Sequence, residues 1–168
     1  RGEYDGFGVT IPPAVVRPDE QGRLHIAFDF RCASQDAGGD GSWRYYIGHG
    51  AGPNPAIELF INGREFYRRS ANDKSSVAKV EINRWYQVQL ALDLKGKTYR
   101  GKLLSTESQV EFSGDFAPGW DGTLDYSFID SYGHIGGVRP ALDADNFLIS
   151  AAPLSPLNPQ TPANPSTS

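Results

Sequence analysis

Residues 84–104 read RWYQVQLALDLKGKTYRGKLL. From Tyr86 to Leu92, apolar side chains recur at every second position, which is the period of a β-strand with one face on a core. The alternate positions hold tryptophan, glutamine and alanine, a row polar enough to face water or a second layer. The sequence KGK then interrupts the run, and residues 98–104 return as another strand. The stretch therefore predicts an antiparallel hairpin.

Short strands of the same kind recur along the rest of the chain. Candidate strands cover residues 7–11, 24–33, 43–48, 57–61, 64–69, 77–82, 110–112, 124–129 and 143–150. Asn62 and Gly63 separate two of them and predict a type I′ hairpin, in which both central residues have positive φ. No segment shows a sustained helical period. This pattern predicts an all-β protein, a two-sheet antiparallel β-sandwich of the jelly-roll type.

Composition excludes several classes of protein. The net charge of -4, with basic residues scattered along the chain, argues against a nucleic-acid partner. Cys32 is the only cysteine, so no internal disulfide is possible, and its place on an apolar row predicts a small buried core residue. No apolar run approaches the roughly 20 residues of a membrane span.

The last part of the chain differs from the rest. From Ala151 onward there is no charged residue, and proline recurs at every third position from Pro153 to Pro165. Polyproline II has three residues per turn and forms semi-rigid spacers. We therefore divide the chain into a domain at 1–150 and a Pro-rich linker or disordered tail at 151–168. The chain starts at Arg1 and lacks methionine, which suggests excision from a longer or processed precursor.

Three motifs resemble a known superfamily. Residues 83–93, NRWYQVQLALD, resemble the W-x-x-V-x-L-x-x-D strand of laminin-G-like and other concanavalin A-like domains. Residues 142–149, LDADNFLI, resemble the closing strand of jelly-roll lectins and carbohydrate-binding modules, and residues 57–63, IELFING, are similar to a hairpin of the same superfamily. The resemblance to the concanavalin A-like lectin/glucanase superfamily implies two curved antiparallel sheets, a concave face and frequent glycan binding.

The function implied by this resemblance is that of a non-catalytic, lectin-like carbohydrate-binding module. Similar domains are accessory modules of large secreted bacterial proteins. We therefore expect a poly- or oligosaccharide partner, tethering to other domains of the same polypeptide, and a secreted, periplasmic or cell-surface location. Two alternatives stay open. One is a protein-interaction or spacer domain of laminin-G-like type, and the other is a divergent glycosidase or polysaccharide lyase.

Catalytic motifs of the superfamily are not found in the sequence. Retaining glycosidases need two carboxyl groups about 5–5.5 Å apart, and the Glu-x-Asp-x-x-Glu run of the related glucanases does not occur. Lyases of this fold bring arginine, glutamine, histidine and tyrosine together on adjacent strands. Arg44, Tyr45, Tyr46 and His49 offer some of these residue types without the lyase motifs. The sequence therefore predicts no catalytic residues and favours binding over catalysis.

Aromatic side chains are the candidates for sugar contact, because flat rings cover the apolar face of a pyranose. Trp43 and Tyr45 share one face of their strand, and we expect that face or the opposite one to be exposed or to line a groove. Trp120 lies in the turn-like sequence PGWDG, where we expect exposure. Core packing is the alternative for each ring. The predicted carbohydrate contacts are Trp43, Tyr45, Trp120, Tyr132, His134 and Arg139.

A structural calcium ion is the one cofactor that the sequence suggests. Ca²⁺ takes hard oxygen ligands, and Asp143 and Asp145 occupy the closing motif. In similar modules, a closing-strand aspartate joins acids near the N-terminus, and Glu3 and Asp5 would fill that role here if the first and last strands pair. The alternative is that Asp145 satisfies loop backbone groups, as such residues commonly do.

Overall fold

The structure is a computed structural model, and it describes residues 6–10, 18–33, 41–130 and 141–154. No helix occurs in these ranges, and none of them could therefore supply a helix that spans a membrane. The strands are β1 (Gly6–Thr10), β2 (Arg23–Cys32), β3 (Trp43–His49), β4 (Asn54–Ile61), β5 (Glu65–Ser70), β6 (Asp73–Lys79), β7 (Trp85–Asp93), β8 (Thr98–Leu104), β9 (Gln109–Asp115), β10 (Tyr126–Asp130) and β11 (Leu142–Ser150).

The strands form two antiparallel sheets. The six-stranded sheet has the order β1-β10-β3-β4-β5-β6, and the five-stranded sheet has the order β11-β2-β7-β8-β9. The stretch at 84–104 is the β7–β8 hairpin, in the register Leu90 to Gly101. The prediction of an all-β, two-sheet jelly-roll sandwich is confirmed.

The core lies between the sheets and is built from alternate residues of the facing strands. Val88 and Leu90 of β7 are buried, as the period of two predicted. Phe28 of β2 stacks on Tyr45 of the six-stranded sheet, with ring centroids 4.7 Å apart. Cys32 is buried at the rim of this core, and burial raises the pKa of its thiol to about 12, so the thiol is protonated and inert at neutral pH.

The β4–β5 hairpin forms as predicted, but the predicted turn type is wrong. Neither Asn62 nor Gly63 is among the residues with positive φ. Instead, the Asn62 side-chain oxygen accepts hydrogen bonds from the backbone N–H groups of Arg64 and Glu65, each at 2.8 Å. The asparagine side chain thus closes the turn, so the left-handed conformation that a type I′ turn requires is not needed.

The outer face of the six-stranded sheet carries a buried ion network. The Arg44 guanidinium donates to Glu58 at 2.9 Å and to Asp130 at 3.0 Å, and Arg69 donates to the other oxygen of Glu58. The Arg44 and Glu58 side chains are only 5% and 4% exposed. Buried charges are tolerated when they are paired in this way. The Arg69 Nε is the one polar side-chain atom of the described residues that is buried without a hydrogen-bond partner.

Replacement of Leu90 by alanine tests the inward row of β7. Leu90 is 1% exposed in the centre of the core, and loss of such a side chain costs about 2–5 kcal/mol because a cavity is left. Urea unfolding should show this decrease in the free energy of unfolding for Leu90→Ala, whereas Lys79→Ala, at an exposed position of β6, should change it little. Equal stability of Leu90→Ala and wild type would contradict the packing.

Candidate functional site

The outer face of the five-stranded sheet is the reverse side of the core. Alternation that buries Val88 and Leu90 turns Gln89 and Ala91 of β7 outward. In the sheet register, Gln89 lies opposite Lys102, and Ala91 lies opposite Arg100. The outward side chains of these strands therefore form rows that cross the sheet.

An open groove of about 630 Å³ lies on this face. We call it the sheet groove. Its polar lining comes from His25, Gln89, Arg100, Lys102, Glu111 and Ser113. Ala91 adds a small side chain and links the groove to a neighbouring cavity of about 240 Å³, which it lines together with Arg100 and Arg23. The lining strands run from β2 to β9, across about 14 Å of sheet, which is long enough for more than one sugar unit.

Residues after β11 also contribute to the sheet groove. β11 lies at the edge of the sheet and ends at Ser150, which is opposite His25. Pro153 and Leu154 line the groove together with residues of β8 and β9. The chain that leaves the last strand therefore lies on the outer face and supplies an apolar wall.

Two cations face the sheet groove. Arg100 and Lys102 form no ion pair with any residue that the structure describes, although Glu111 lies opposite Lys102 in the register. Burial lowers the pKa of His25; the charge of Asp19 opposes this shift, and that of Arg23 adds to it. The His25 ring is therefore neutral at pH 7 and offers hydrogen bonds without charge.

A row of hydrogen bonds adjoins the groove and fixes one of its side chains. The Gln89 amide donates to Gln87 at 2.8 Å, Gln87 donates to Asp29 at 3.3 Å, and Asn146 donates to the second oxygen of Asp29 at 2.8 Å. The row crosses β7, β2 and β11. Burial raises the pKa of Asp29, and the facing carboxylate of Asp145 raises it too. This network holds the Gln89 amide at the wall of the groove.

The structure buries two of the three described rings that were predicted to contact sugar, and it half-buries the third. Tyr45 is fully buried against Phe28, and Trp43 is half-buried against the same core, because both project from the inner face of β3. Trp120 is 6% exposed, since its ring packs edge-on against Phe116 and its N–H donates to the Thr123 carbonyl at 2.7 Å. Tyr45 and Trp120 therefore offer no open ring face, whereas Trp43 is open in part.

The opposite row of β3 is not exposed either. Tyr46 and Arg44 lie on the outer face of the six-stranded sheet and are buried. The turn after β3 closes over them: Tyr46 donates to the His49 carbonyl at 3.0 Å, and Gly52 lies beside the Arg44 guanidinium. The lyase-type set proposed from the sequence is thus dispersed between the core, a covered face and a loop.

Five predicted site residues lie outside the described residues. They are Glu3, Asp5, Tyr132, His134 and Arg139. The predictions of sugar contact by the last three, and of calcium binding by the first two, stay predictions.

The strand pairing assumed for the calcium site is wrong. β1 pairs with β10 in the six-stranded sheet, whereas β11 pairs with β2 in the five-stranded sheet. Asp143 is instead paired with Arg31 at 2.6 Å, and Asp145 accepts a hydrogen bond from the backbone N–H of Asn146. Within the described ranges, no group of three or more acidic, histidine or cysteine side chains could hold a metal ion. Calcium stays an untested prediction that has lost this support.

The sequence did contain a signal for the groove, in the outward rows of β2, β7 and β8. His25, Gln89, Arg100 and Lys102 all alternate with core residues. A single strand pattern cannot say which outward face is open, so these positions were interpretable only as solvated. Trp85 is the aromatic residue of this face, and it lies 5.1 Å beneath the Arg31 guanidinium.

A second polar cluster joins two loops at the end of the sandwich. His49 contacts Asp121 through Nδ1 and lies 3.6 Å from Asp125 through Nε2. Asp125 also accepts from the Gly50 backbone, and Asn54 donates to the Gly119 carbonyl. The hydrogen bond to Asp121 raises the pKa of His49, and His49 lowers the pKa of Asp121. We interpret this cluster as a contact that stabilises the loops.

The two antiparallel sheets define the structural class of this protein. It has the concanavalin A-like jelly-roll fold, a two-sheet β-sandwich. No family model matches the chain, and no curated protein sequence matches it.

Solved structures support the fold assignment. A sialidase matches 88% of the chain with a TM-score of 0.62 and 12% identity, and the chain covers 14% of that protein. The Trypanosoma rangeli sialidase matches 79% with a TM-score of 0.53 and 16% identity, and 21% of it is covered. The catalytic domain of a glycoside hydrolase family 131 protein from Coprinopsis cinerea matches 80% with a TM-score of 0.56 and 12% identity, and 58% of it is covered. The chain thus spans less than two thirds of each.

The His49 cluster predicts a pH-dependent stability. The folded-state pKa of His49 is raised above its unfolded value of about 6.5. Its stabilising contribution is therefore fully present below that value and is lost as the pH rises through the folded-state pKa. Urea unfolding of wild type and His49→Gln should show a larger difference at pH 5.5 than at pH 8.5. A difference that does not change with pH would contradict the protonated bridge.

Proposed function

We propose that this chain is a non-catalytic carbohydrate-binding module that takes a poly- or oligosaccharide in the sheet groove. The observation that carries the proposal is an open groove on a rigid sheet face with convergent hydrogen-bonding side chains. Sugars are recognised by a few polar groups held in fixed positions. Gln89 is held by its hydrogen bond to Gln87, and the other polar groups project from neighbouring strands.

The composition of the groove supports binding without hydrolysis. Glu111 is the single carboxylate in its described lining, so it lacks the pair of acids that glycosidic hydrolysis uses. Asp29 and Asp145 do lie directly opposite each other on β2 and β11. However, Asp29 is 1% exposed and accepts hydrogen bonds on both oxygens, so a substrate could not reach it.

A polysaccharide lyase is the second candidate. His25, Gln89 and Arg100 lie in one groove, and these are three of the four residue types that lyases of this fold combine. The neutral state of His25, which its lowered pKa favours, suits a proton acceptor. Incubation with polyuronates separates the two functions, because a lyase would generate an unsaturated product that absorbs ultraviolet light, whereas a binding module would leave the polymer intact.

The setting of the module belongs to the same proposal. We infer that it is one part of a larger exported protein, tethered to other domains by the proline-rich segment. The small share of the sialidases that the chain covers supports this, as does the proline period of residues 153–165. A protein-interaction or spacer role remains the alternative.

A blocked groove tests the binding site. Ala91 lies between the two cavities, so Ala91→Phe should fill the space that a sugar occupies. Affinity electrophoresis on a panel of neutral and acidic polysaccharides, with calcium and with a chelator, should show retardation of wild type and its loss in Ala91→Phe.

Ser76→Phe is the matched control, since it adds the same ring at an exposed position on the other sheet, and it should keep the retardation. Equal retardation of Ala91→Phe would place binding elsewhere. Absence of retardation on the whole panel would overturn the carbohydrate proposal in favour of the structural or protein-binding role.

A further inference from the structure

The charges of the sheet groove indicate which sugars it takes. We infer that the groove selects acidic glycans, and among them those that carry carboxylates, such as polymers of uronic acids. This inference rests on the proposed function. It adds the chemical class of the ligand and the two residues that would bind its carboxylates, Arg100 and Lys102.

The net charge of the groove lining is opposite in sign to the net charge of the chain. The chain has a net charge of -4, yet the charged lining of the groove comprises Arg100 and Lys102 against Glu111. Arg23 and Asp93, which lie opposite each other in the register, add one charge of each sign in the adjoining cavity. A neutral polymer would gain nothing from this excess of positive charge, whereas an anionic one would be attracted.

The two groove cations differ from four of the described arginines, Arg31, Arg44, Arg69 and Arg84, which are paired with acids, and resemble Arg23, Arg64 and Arg68, which are not. Arg31 is paired with Asp143, and Arg84 is paired with Glu107. Within the described ranges, Arg100 and Lys102 have no such partner. A ligand carboxylate would therefore meet donors that need not first be released from a protein acid.

The described lining of the groove lacks an open aromatic ring, the feature on which recognition of neutral sugars usually depends. Phe112 is the one aromatic residue in its described lining, and its ring faces the core, 5.5 Å from the ring of Phe66 and 6.3 Å from that of Tyr99. With no ring to cover a pyranose face, binding must come from hydrogen bonds and charge. Hydrogen bonds between ionised groups are the strongest of these.

The spacing of the two cations favours a repeating anion. Arg100 and Lys102 are two residues apart on β8, so they project from the same face at about 7 Å. The planar guanidinium matches a carboxylate through two parallel hydrogen bonds, and the ammonium adds a compact charge. Glu111, opposite Lys102, would accept sugar hydroxyls and would disfavour an anion on that side. The groove would thus bind acidic groups along one row, formed by Arg100 and Lys102.

Paired polymers test this selection. Affinity electrophoresis should show wild type strongly retarded by polygalacturonate and weakly by the same polymer after reduction of its carboxyl groups to alcohols. Added salt should weaken the retardation, because screening reduces attraction between exposed charges. Arg100→Gln and Lys102→Gln should each weaken binding to polygalacturonate by at least about tenfold, as expected for loss of a charged hydrogen bond. Lys79→Gln removes the same charge from exposed β6 and should bind as wild type does.

The possible failures are distinguishable. Equal retardation by the native and reduced polymers, with loss in Ala91→Phe, would overturn the acidic selection and leave the carbohydrate-binding groove in place. Retardation by dextran sulfate as strong as by polygalacturonate, with dextran inert, would overturn the assignment to carboxylates. No retardation by any polymer would overturn this inference together with the proposed function. Unfolding midpoints of the variants should match that of wild type, because the substituted side chains are solvent-facing.

Discussion

The antiparallel pairing of β2 with β7 is the constraint on which the rest of this structure depends. Nine consecutive residues of each strand are in register, from Arg23 opposite Asp93 to Arg31 opposite Trp85. Because side chains alternate between the two faces of a sheet, a register that places Phe28 beside Val88 on the core also places Ala27 beside Gln89 on the outside. The groove and the core are therefore two sides of one arrangement. A shift of one residue would exchange them, and the cost of exposing the apolar row excludes it.

The two outer faces of the sandwich treat charge in opposite ways. On the six-stranded sheet, Glu58 lies between two guanidinium groups, and aromatic rings of Tyr46 and Phe128 lie within about 5 Å of one of them. The charges of this network are thus paired within the sheet, although the Arg69 Nε is buried without a hydrogen-bond partner among the described residues. On the five-stranded sheet, the cations of β8 project into open space. This difference between a covered and an open face is the reason why we propose a binding role for the five-stranded sheet.

The sequence was sufficient for the fold and insufficient for the site, and one physical reason explains both results. Alternation is a local property, and it placed Val88 and Leu90 in the core correctly. It also divided β3 into two rows, but it could not say that one row would face the core and that a turn would cover the other. Which face stays open depends on contacts between strands far apart in sequence. Trp120 illustrates the same limit, because its burial against Phe116 arises from the path of a loop.

The carboxyl group of Asp29 determines the orientation of the Gln89 amide. It acts through Gln87, which lies opposite Asp29 and two residues before Gln89 on β7. Asp29 accepts a hydrogen bond from the NH₂ group of Gln87, so the Gln87 oxygen is turned toward Gln89 and accepts an N–H of its amide. An amide group can otherwise be flipped, which exchanges its oxygen and its NH₂ group. The direction of this row of hydrogen bonds is therefore set by one buried carboxyl group. The Gln89 amide, which lines the groove, is therefore held with its NH₂ group toward Gln87. Protonation of Asp29 would remove that direction, and the Gln89 amide could then adopt either orientation at the groove wall.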